Sequence, residues 1–299
     1  MIRKFLITIF VATFFTSVVV AQVDTLRARI ERILASKNAH VGVAITGLDG
    51  FDTLSINGSG HFPLQSVFKF PIALAVLDKV DQGSLSLNQK ILVTKADLLQ
   101  NTWSPLREKY PQGNIKIPLS EILQYTVSQS DNNGCDILLR LIKGTKVVND
   151  YIHKKGIKDI AIVFNEEEMH KEWNVQFFNW TTPKASNDLL KLFYDRKILS
   201  SKSHDFLWKI MTATSTGTER IKGQLPQGTQ VAHKTGTSDT NKEGVTAAVN
   251  DVGIVTLPDG KHFAISIFVS DSKENNNTNE KIISDISKLT WDYFANKNR

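Results

Sequence analysis

The 299-residue sequence is short of several things, and each shortage removes a class of protein from consideration. Cys135 is its only cysteine, so no intramolecular disulfide can form even in an oxidising compartment. That thiol falls in the apolar helical pattern Cys135, Leu138, Leu139 and Ile142, which gives it a packing role. The seven histidines are scattered, with no His-x-His or His-Glu-x-x-His pair, so neither a metal site nor a zinc hydrolase is supported. No cofactor motif stands out. The net charge of +6 is spread along the chain without a block of five or six basic residues, which leaves nucleic-acid binding without support. There is no internal repeat and no long linker.

Long apolar runs are absent with one exception. Arg3 and Lys4 precede an apolar stretch from Phe5 to Val20, and Val19-Val20-Ala21 resembles a cleavage site with Gln22 as the new N-terminus. The run is short for a membrane span and its following flank is small and polar, so residues 1–21 read as a signal peptide rather than an anchor. Loss of Arg3 and Lys4 lowers the formal charge from +6 to +4. No cysteine stands directly after the run, which argues against a lipid anchor.

The mature chain opens with a helical pattern, Leu26 to Ala35. Two β-rich stretches follow, Val41 to Leu48 and Asp52 to Ile56, able to pair across Gly50. Helical patterns dominate the middle: Phe68 to Val80, Ser120 to Val127, Cys135 to Ile142, Ala185 to Tyr194 and Ser203 to Met211. Strands return at Val231-Ala232-His233, Ala247 to Leu257 and Phe263 to Val269, the last two joined by the turn Pro258-Asp259-Gly260. An amphipathic helix closes the chain from Asn279 to about Ala295. This order predicts an α/β (α+β) fold: a mostly antiparallel five-stranded sheet flanked by the terminal helices, plus an all-helical lobe. The expected domains are 22–60 with 213–299 (sheet) and 61–212 (helices), with a substrate cleft between them.

Three fragments carry chemistry. Ser66-Val67-Phe68-Lys69 opens an apolar helix, which puts Ser66 and Lys69 on one face and Ser66 near the free N–H groups of the helix start. A hydroxyl nucleophile needs a base and a stabilised oxyanion, and this arrangement offers both. The bland alternative is a capping serine followed by a solvated lysine. A second Ser-x-x-Lys, Ser270 to Lys273, runs into a polar loop and shows how readily the tetrapeptide arises. Ser130-Asp131-Asn132 also reads as a helix cap, and Lys234-Thr235-Gly236 as a strand end with a turn glycine. Each fragment alone is ordinary. Their occurrence together, in this order and context, is not.

This motif set resembles that of class A serine β-lactamases and penicillin-binding proteins, and the similarity spans essentially the whole mature region. Phe62 to Pro71, Trp103-Ser104-Pro105, Asn165 to His170, Lys222 to Pro226 and His233 to Ser238 resemble the extended-spectrum branch typified by the VEB and PER enzymes. The resemblance implies the serine β-lactamase and penicillin-binding-protein fold, small-molecule β-lactam substrates, a periplasmic monomer and no cofactor. It assigns Ser66 as nucleophile, Lys69 to proton transfer and Ser130 to protonation of the leaving nitrogen. Asn132 would bind the substrate side-chain amide, and Lys234, Thr235 and Gly236 the substrate carboxylate region. The N–H groups of Ser66 and Thr237 would form the oxyanion hole, with Trp103 flanking the cleft. Glu166 matches the base that activates water for deacylation, against the plain reading of Glu166-Glu167-Glu168 as a solvated acidic run. Either Lys69 or Glu166 could serve as the acylation base.

The sequence also departs from the family pattern. An Arg–Asp pair usually ties the loop around the glutamate; here the positions are Phe164 and Asn179. The usual asparagine partner of the catalytic water is His170. No arginine occurs in Thr240 to Val245, and Arg220 is the substitute near the substrate carboxylate. The competing readings are a D-alanyl-D-alanine peptidase, which forms the same acyl-serine but stalls, and a non-catalytic β-lactam sensor, which would need a signalling span.

Overall fold

The computed structural model describes residues 22–50 and 52–297; the segment read as a leader, residues 1–21, lies outside them. Five strands form the main sheet in the order Thr53–Ile56, His40–Gly47, His262–Ser272, Thr246–Thr256, Val231–Thr237, and every neighbouring pair is antiparallel. The chain's first strand thus pairs with its last, Val43 opposite Ile267, so both ends of the sequence build the same layer. The strand Thr246–Thr256 is buried along almost its whole length, because the sheet is covered on both faces. On one face, the helix 22–34 and the helix Asn276–Lys297 pack Leu26, Ile30, Ile282 and Ile286 onto Val43, Ile45, Val255 and Ile265. On the other, Ala232, Ile254, Ala264 and Phe268 join the core of the helical part.

That helical part is built around Lys69–Asp81, a helix apolar on all sides whose residues 69–77 are all buried. Its neighbours are started by polar caps: Asp131 accepts from Gly134 N, Thr182 from Ala185 N before Pro183, and Ser200 from Ser203 N. Three local differences from the sequence reading follow from tertiary contacts. The helix expected from Phe68 begins at Lys69, preceded by a 3-10 turn, Gln65–Phe68. The strand expected to end at His233 continues to Thr237, because Gly236 and Thr237 still have partners in Asn250 and Val249. The helix Thr145–Lys154 and the ribbon Lys90–Val93 with Ile115–Pro118 have no counterpart in the sequence reading; the ribbon's strands are only four residues long, too short for a period to show. Ser270 sits inside the strand His262–Ser272, buried, and so is no nucleophile at a helix start. Among the described residues no helix is long and apolar enough to cross a membrane.

Candidate active site

The segment before Ser66 is fixed from three sides. Leu64 N donates to Asn179 O at 2.8 Å, and Asn250 Nδ2 donates to Pro63 O at 2.8 Å. The strand Val231–Thr237 passes so close that a Cβ on Gly236 would stand 2.7 Å from Leu64 O. Only glycine tolerates that approach. Gln65 takes a left-handed backbone (φ +45°), which turns the chain so that Ser66 enters the first helical turn, where N–H groups have no intrahelical acceptor.

Lys69 Nζ is fully buried and sits among four oxygens. It lies 2.7 Å from Ser66 Oγ, 2.7 Å from Glu166 Oε1, 2.8 Å from Ser130 O and 2.5 Å from Asn132 Oδ1. An ammonium has three protons, so four such contacts leave one without a Lys69 proton. Ser66 Oγ is 3.5 Å from Glu166 Oε1, farther than from Lys69 Nζ. The serine and the glutamate come from segments 100 residues apart in sequence. The sequence-predicted members Ser66, Lys69, Ser130, Asn132 and Glu166 therefore meet at one nitrogen.

Asp131 is buried and structural. Besides capping its helix it accepts from Ser104 Oγ and from Leu106 N at 2.6 Å, and burial pushes its carboxyl above the usual range. By holding that loop it sets the flanking residues: Ser130 adopts a left-handed backbone (φ +59°), and Asn132 N donates to Trp103 O at 3.0 Å. Asn132 Nδ2 donates to Thr102 Oγ1 at 2.7 Å. Trp103 stands beside this point, 56% exposed, with its Nε1 donating to Gln129 O. Lys234, fully buried, donates to Ser130 Oγ at 2.8 Å, so the serine's own proton is free to point elsewhere. Burial, and after it the Lys69 charge, hold the Lys234 amine well below the usual lysine range.

The strand Val231–Thr237 is an edge of the sheet. Ser238 N donates across the ladder to Ala248 O at 2.9 Å, so by alternation Thr237 N–H faces the open edge of the sheet. Thr235 Oγ1 and Thr216 Oγ1 are 2.6 Å apart. Arg220 is buried behind the strand: its guanidinium donates to Thr237 Oγ1 at 2.7 Å, to Gly236 O and Asn250 O at 3.0 Å, and to Glu280 Oε1 at 3.2 Å. The arginine therefore acts on this edge by orienting the Thr237 hydroxyl.

Glu166 opens the short helix Glu166–Met169, whose capping box pairs Asn165 with Glu168. Both oxygens of Asp136 accept from this helix start, from Glu166 N at 2.9 Å and Glu167 N at 3.0 Å. Burial pushes the Asp136 carboxyl up to about 6. Phe164 and Asn179 form no ion pair. The buried Asn179 amide holds the backbone instead, accepting from Val163 N and Phe164 N and donating to Phe164 O. His170 Nδ1 lies 2.6 Å from Glu166 O, so the histidine braces the turn carrying the glutamate. A cavity of about 220 Å³ is lined by Thr102, Asn132, Asp136, Glu166, Glu167 and His170, among others. A second, of about 250 Å³, lies between the other half of the loop and Thr237 to Asp239. Among the described residues no three His, Cys, Asp or Glu are grouped to hold a metal.

Sequence reasoning missed Asp136, Gln176 and Asn250. Asn250-Asp251 interrupts an otherwise apolar strand, a pattern that flags a buried polar group with a job. Asp251 accepts the Ile221 N–H and faces His233 Nδ1 at 2.9 Å. Asp136 and Gln176 each interrupt an apolar stretch too, between Cys135 and Ile137 and between Val175 and Phe177, but a single polar residue there also fits the solvent face of a helix or turn.

Comparison with known proteins agrees with this geometry. The profile of the β-lactamase enzyme family matches residues 25–294. Beta-lactamase VEB-1 of Pseudomonas aeruginosa is 54% identical over 99% of both chains. Extended-spectrum beta-lactamase PER-1 of the same organism is 47% identical over 93% of this chain and 90% of that one. Among solved structures, TLA-1 extended-spectrum β-lactamase is 56% identical with a TM-score of 0.90, covering 91% of this chain and 99% of that one. A class A β-lactamase from Bacteroides cellulosilyticus is 42% identical with a TM-score of 0.89, covering 92% and 99%. The chain belongs to the β-lactamase enzyme family, and within it to the class A enzymes.

Proposed function

We propose that this enzyme hydrolyses the β-lactam ring of penicillins and cephalosporins, oxyimino-cephalosporins included, through an acyl-enzyme on Ser66, and so confers resistance to them. The observation that carries the reading is Lys69 Nζ standing 2.7 Å from both Ser66 Oγ and Glu166 Oε1. Lys69 passes a proton to Glu166 and, as a neutral amine, takes the proton of Ser66 while Oγ attacks the lactam carbonyl. The developing oxyanion is received by Ser66 N–H and Thr237 N–H. The C–N bond then breaks, and Ser130, held by Lys234, gives its proton to the leaving nitrogen. Lys234, Thr235 and Thr237 receive the substrate carboxylate, with Gly236 letting the strand approach and Arg220 turning the Thr237 hydroxyl. Lys69 then passes the Ser66 proton on to Ser130 and regains its own from Glu166, which leaves the glutamate ionised. In deacylation Glu166 takes a proton from water, which attacks the ester, and hands that proton to Ser66 Oγ as the ester C–O bond breaks. Asn132 and Trp103 border the acyl side chain, and His170 keeps the Glu166 turn in place.

The division into a sheet domain (22–60 and 213–299) and a helical domain (61–212) belongs to the same reading, with the cleft between them. So does export: loss of residues 1–21 leaves a periplasmic monomer beginning at Gln22, which N-terminal sequencing of exported protein would test. The function itself is tested by mixing purified protein with a chromogenic cephalosporin. Repeated turnover is expected. Consumption of a single equivalent would favour the peptidase or sensor readings.

A further inference from the structure

We propose that Gln176 is a positioning residue for the oxyanion-binding turn, acting on Ser66 N–H through Gln65; this rests on the reading of Ser66 as the nucleophile. Gln176 lies in the 3-10 segment Trp173–Phe178, more than a hundred positions from Ser66, yet its side chain is 6% exposed. Its Oε1 accepts from Gln65 Nε2 at 2.5 Å, and its Nε2 donates to Trp173 O at 2.7 Å. The amide is thus anchored on one side and reaches the residue before the nucleophile on the other.

Gln65 is the residue whose backbone needs holding. Its φ of +45° is sparsely populated by side chains with a Cβ, and such a conformation persists only where the surroundings fix it. The peptide unit joining Gln65 to Ser66 carries the Ser66 N–H. Relaxation of Gln65 toward negative φ would swing that unit and take the N–H out of line with Thr237 N–H. Leu64 N on Asn179 O holds the chain one residue earlier, and Gly236 against Leu64 O blocks it from the strand side. The strand also passes close to Gln65 Cβ, but of these neighbours only the Gln176 amide hydrogen-bonds the Gln65 side chain.

Holding the turn and holding the Glu166 loop affect different steps, which makes the inference testable. The substrate is an unhindered chromogenic cephalosporin. The readouts are kcat/KM, which reports acylation, and the acyl-enzyme fraction at steady state by quenched mass spectrometry. Gln176→Ala is expected to lower kcat/KM about tenfold, the scale on which a strained backbone relaxes once its restraining hydrogen bond is removed, and to lower the acyl-enzyme fraction. Gln65→Gly takes the left-handed backbone without steric cost, so adding Gln176→Ala to it should cost less than about threefold. Should Gln176→Ala not fold, Gln176→Met keeps the packing volume, removes the acceptor and carries the same comparison. A kcat/KM within twofold of the parent overturns the inference. So does accumulation of acyl-enzyme, which would show that Gln176 serves only the deacylation loop, or an undiminished cost on the Gln65→Gly background. A parent protein that does not turn over the cephalosporin would instead refute the proposed function.

Discussion

Asn179 grips Phe164 by its backbone on both sides, accepting from Phe164 N at 2.9 Å and donating to Phe164 O at 2.7 Å. One neutral amide so does the work that a salt bridge does in most of the family, and it avoids burying a charge. The Phe164 ring is left free to pack edge-on against Phe178, with centroids 5.7 Å apart. Asn179→Ala would strand the N–H groups of Val163 and Phe164, at roughly 1–3 kcal/mol for each one buried. We expect a lower Tm and slower deacylation with acylation less affected, read from a burst of product before the steady state. An unchanged Tm would mean that the loop is held elsewhere.

Ser66→Ala should abolish hydrolysis, by more than about a thousandfold, while circular dichroism and Tm stay near the parent's. Ser270→Ala should leave turnover as it is, since Ser270 is buried within the strand His262–Ser272. Near-normal activity in Ser66→Ala would remove it as nucleophile.

Glu166→Ala should still acylate but deacylate about 10²–10⁴-fold more slowly, leaving the substrate mass on the protein. Glu167→Ala should not trap the adduct, because Glu167 is exposed while Glu166 is buried against Lys69. Trapping by Glu167→Ala and not by Glu166→Ala would reassign the base.

Asp136 couples the loop to pH. An ionised Asp136 offers acceptors to Glu166 N and Glu167 N, and protonation near pH 6 replaces one with a donor. We expect kcat to fall as pH drops through about 6, and Asp136→Asn, already impaired at neutral pH, to lose that limb. Stability should move the other way. The carboxyl's folded value of about 6 lies above its ordinary 3.8, so the unfolded chain ionises first and stability falls as pH rises between them. A kcat profile with the same acid limb in both proteins would acquit Asp136.

Cavities on both sides of the Glu166 loop give a bulky acyl side chain room. We therefore expect kcat/KM for an oxyimino-cephalosporin to lie well within a thousandfold of that for an unhindered one. A deficit of that size, about 4 kcal/mol in the transition state, would mean the side chain is excluded.

The element order and the chemistry-bearing residues can be read directly along the chain. Ser66-x-x-Lys69, Ser130-Asp131-Asn132 and Lys234-Thr235-Gly236 are short-range signals, written in one helix turn, one cap and one strand end. The apolar periods predicted the sheet and most helices for the same reason: they are local. What holds these pieces in register comes from the packed fold. That Asn179 would grip Phe164, that Asp136 would carry the Glu166 turn, that Arg220 would serve Thr237 from behind, and that Gln176 would reach Gln65 are hydrogen bonds from polar side chains to groups elsewhere in the chain. An amide or carboxylate looks the same in the sequence whether it ends in water or in a buried partner. Only tertiary packing, by removing the water, makes the partner obligatory.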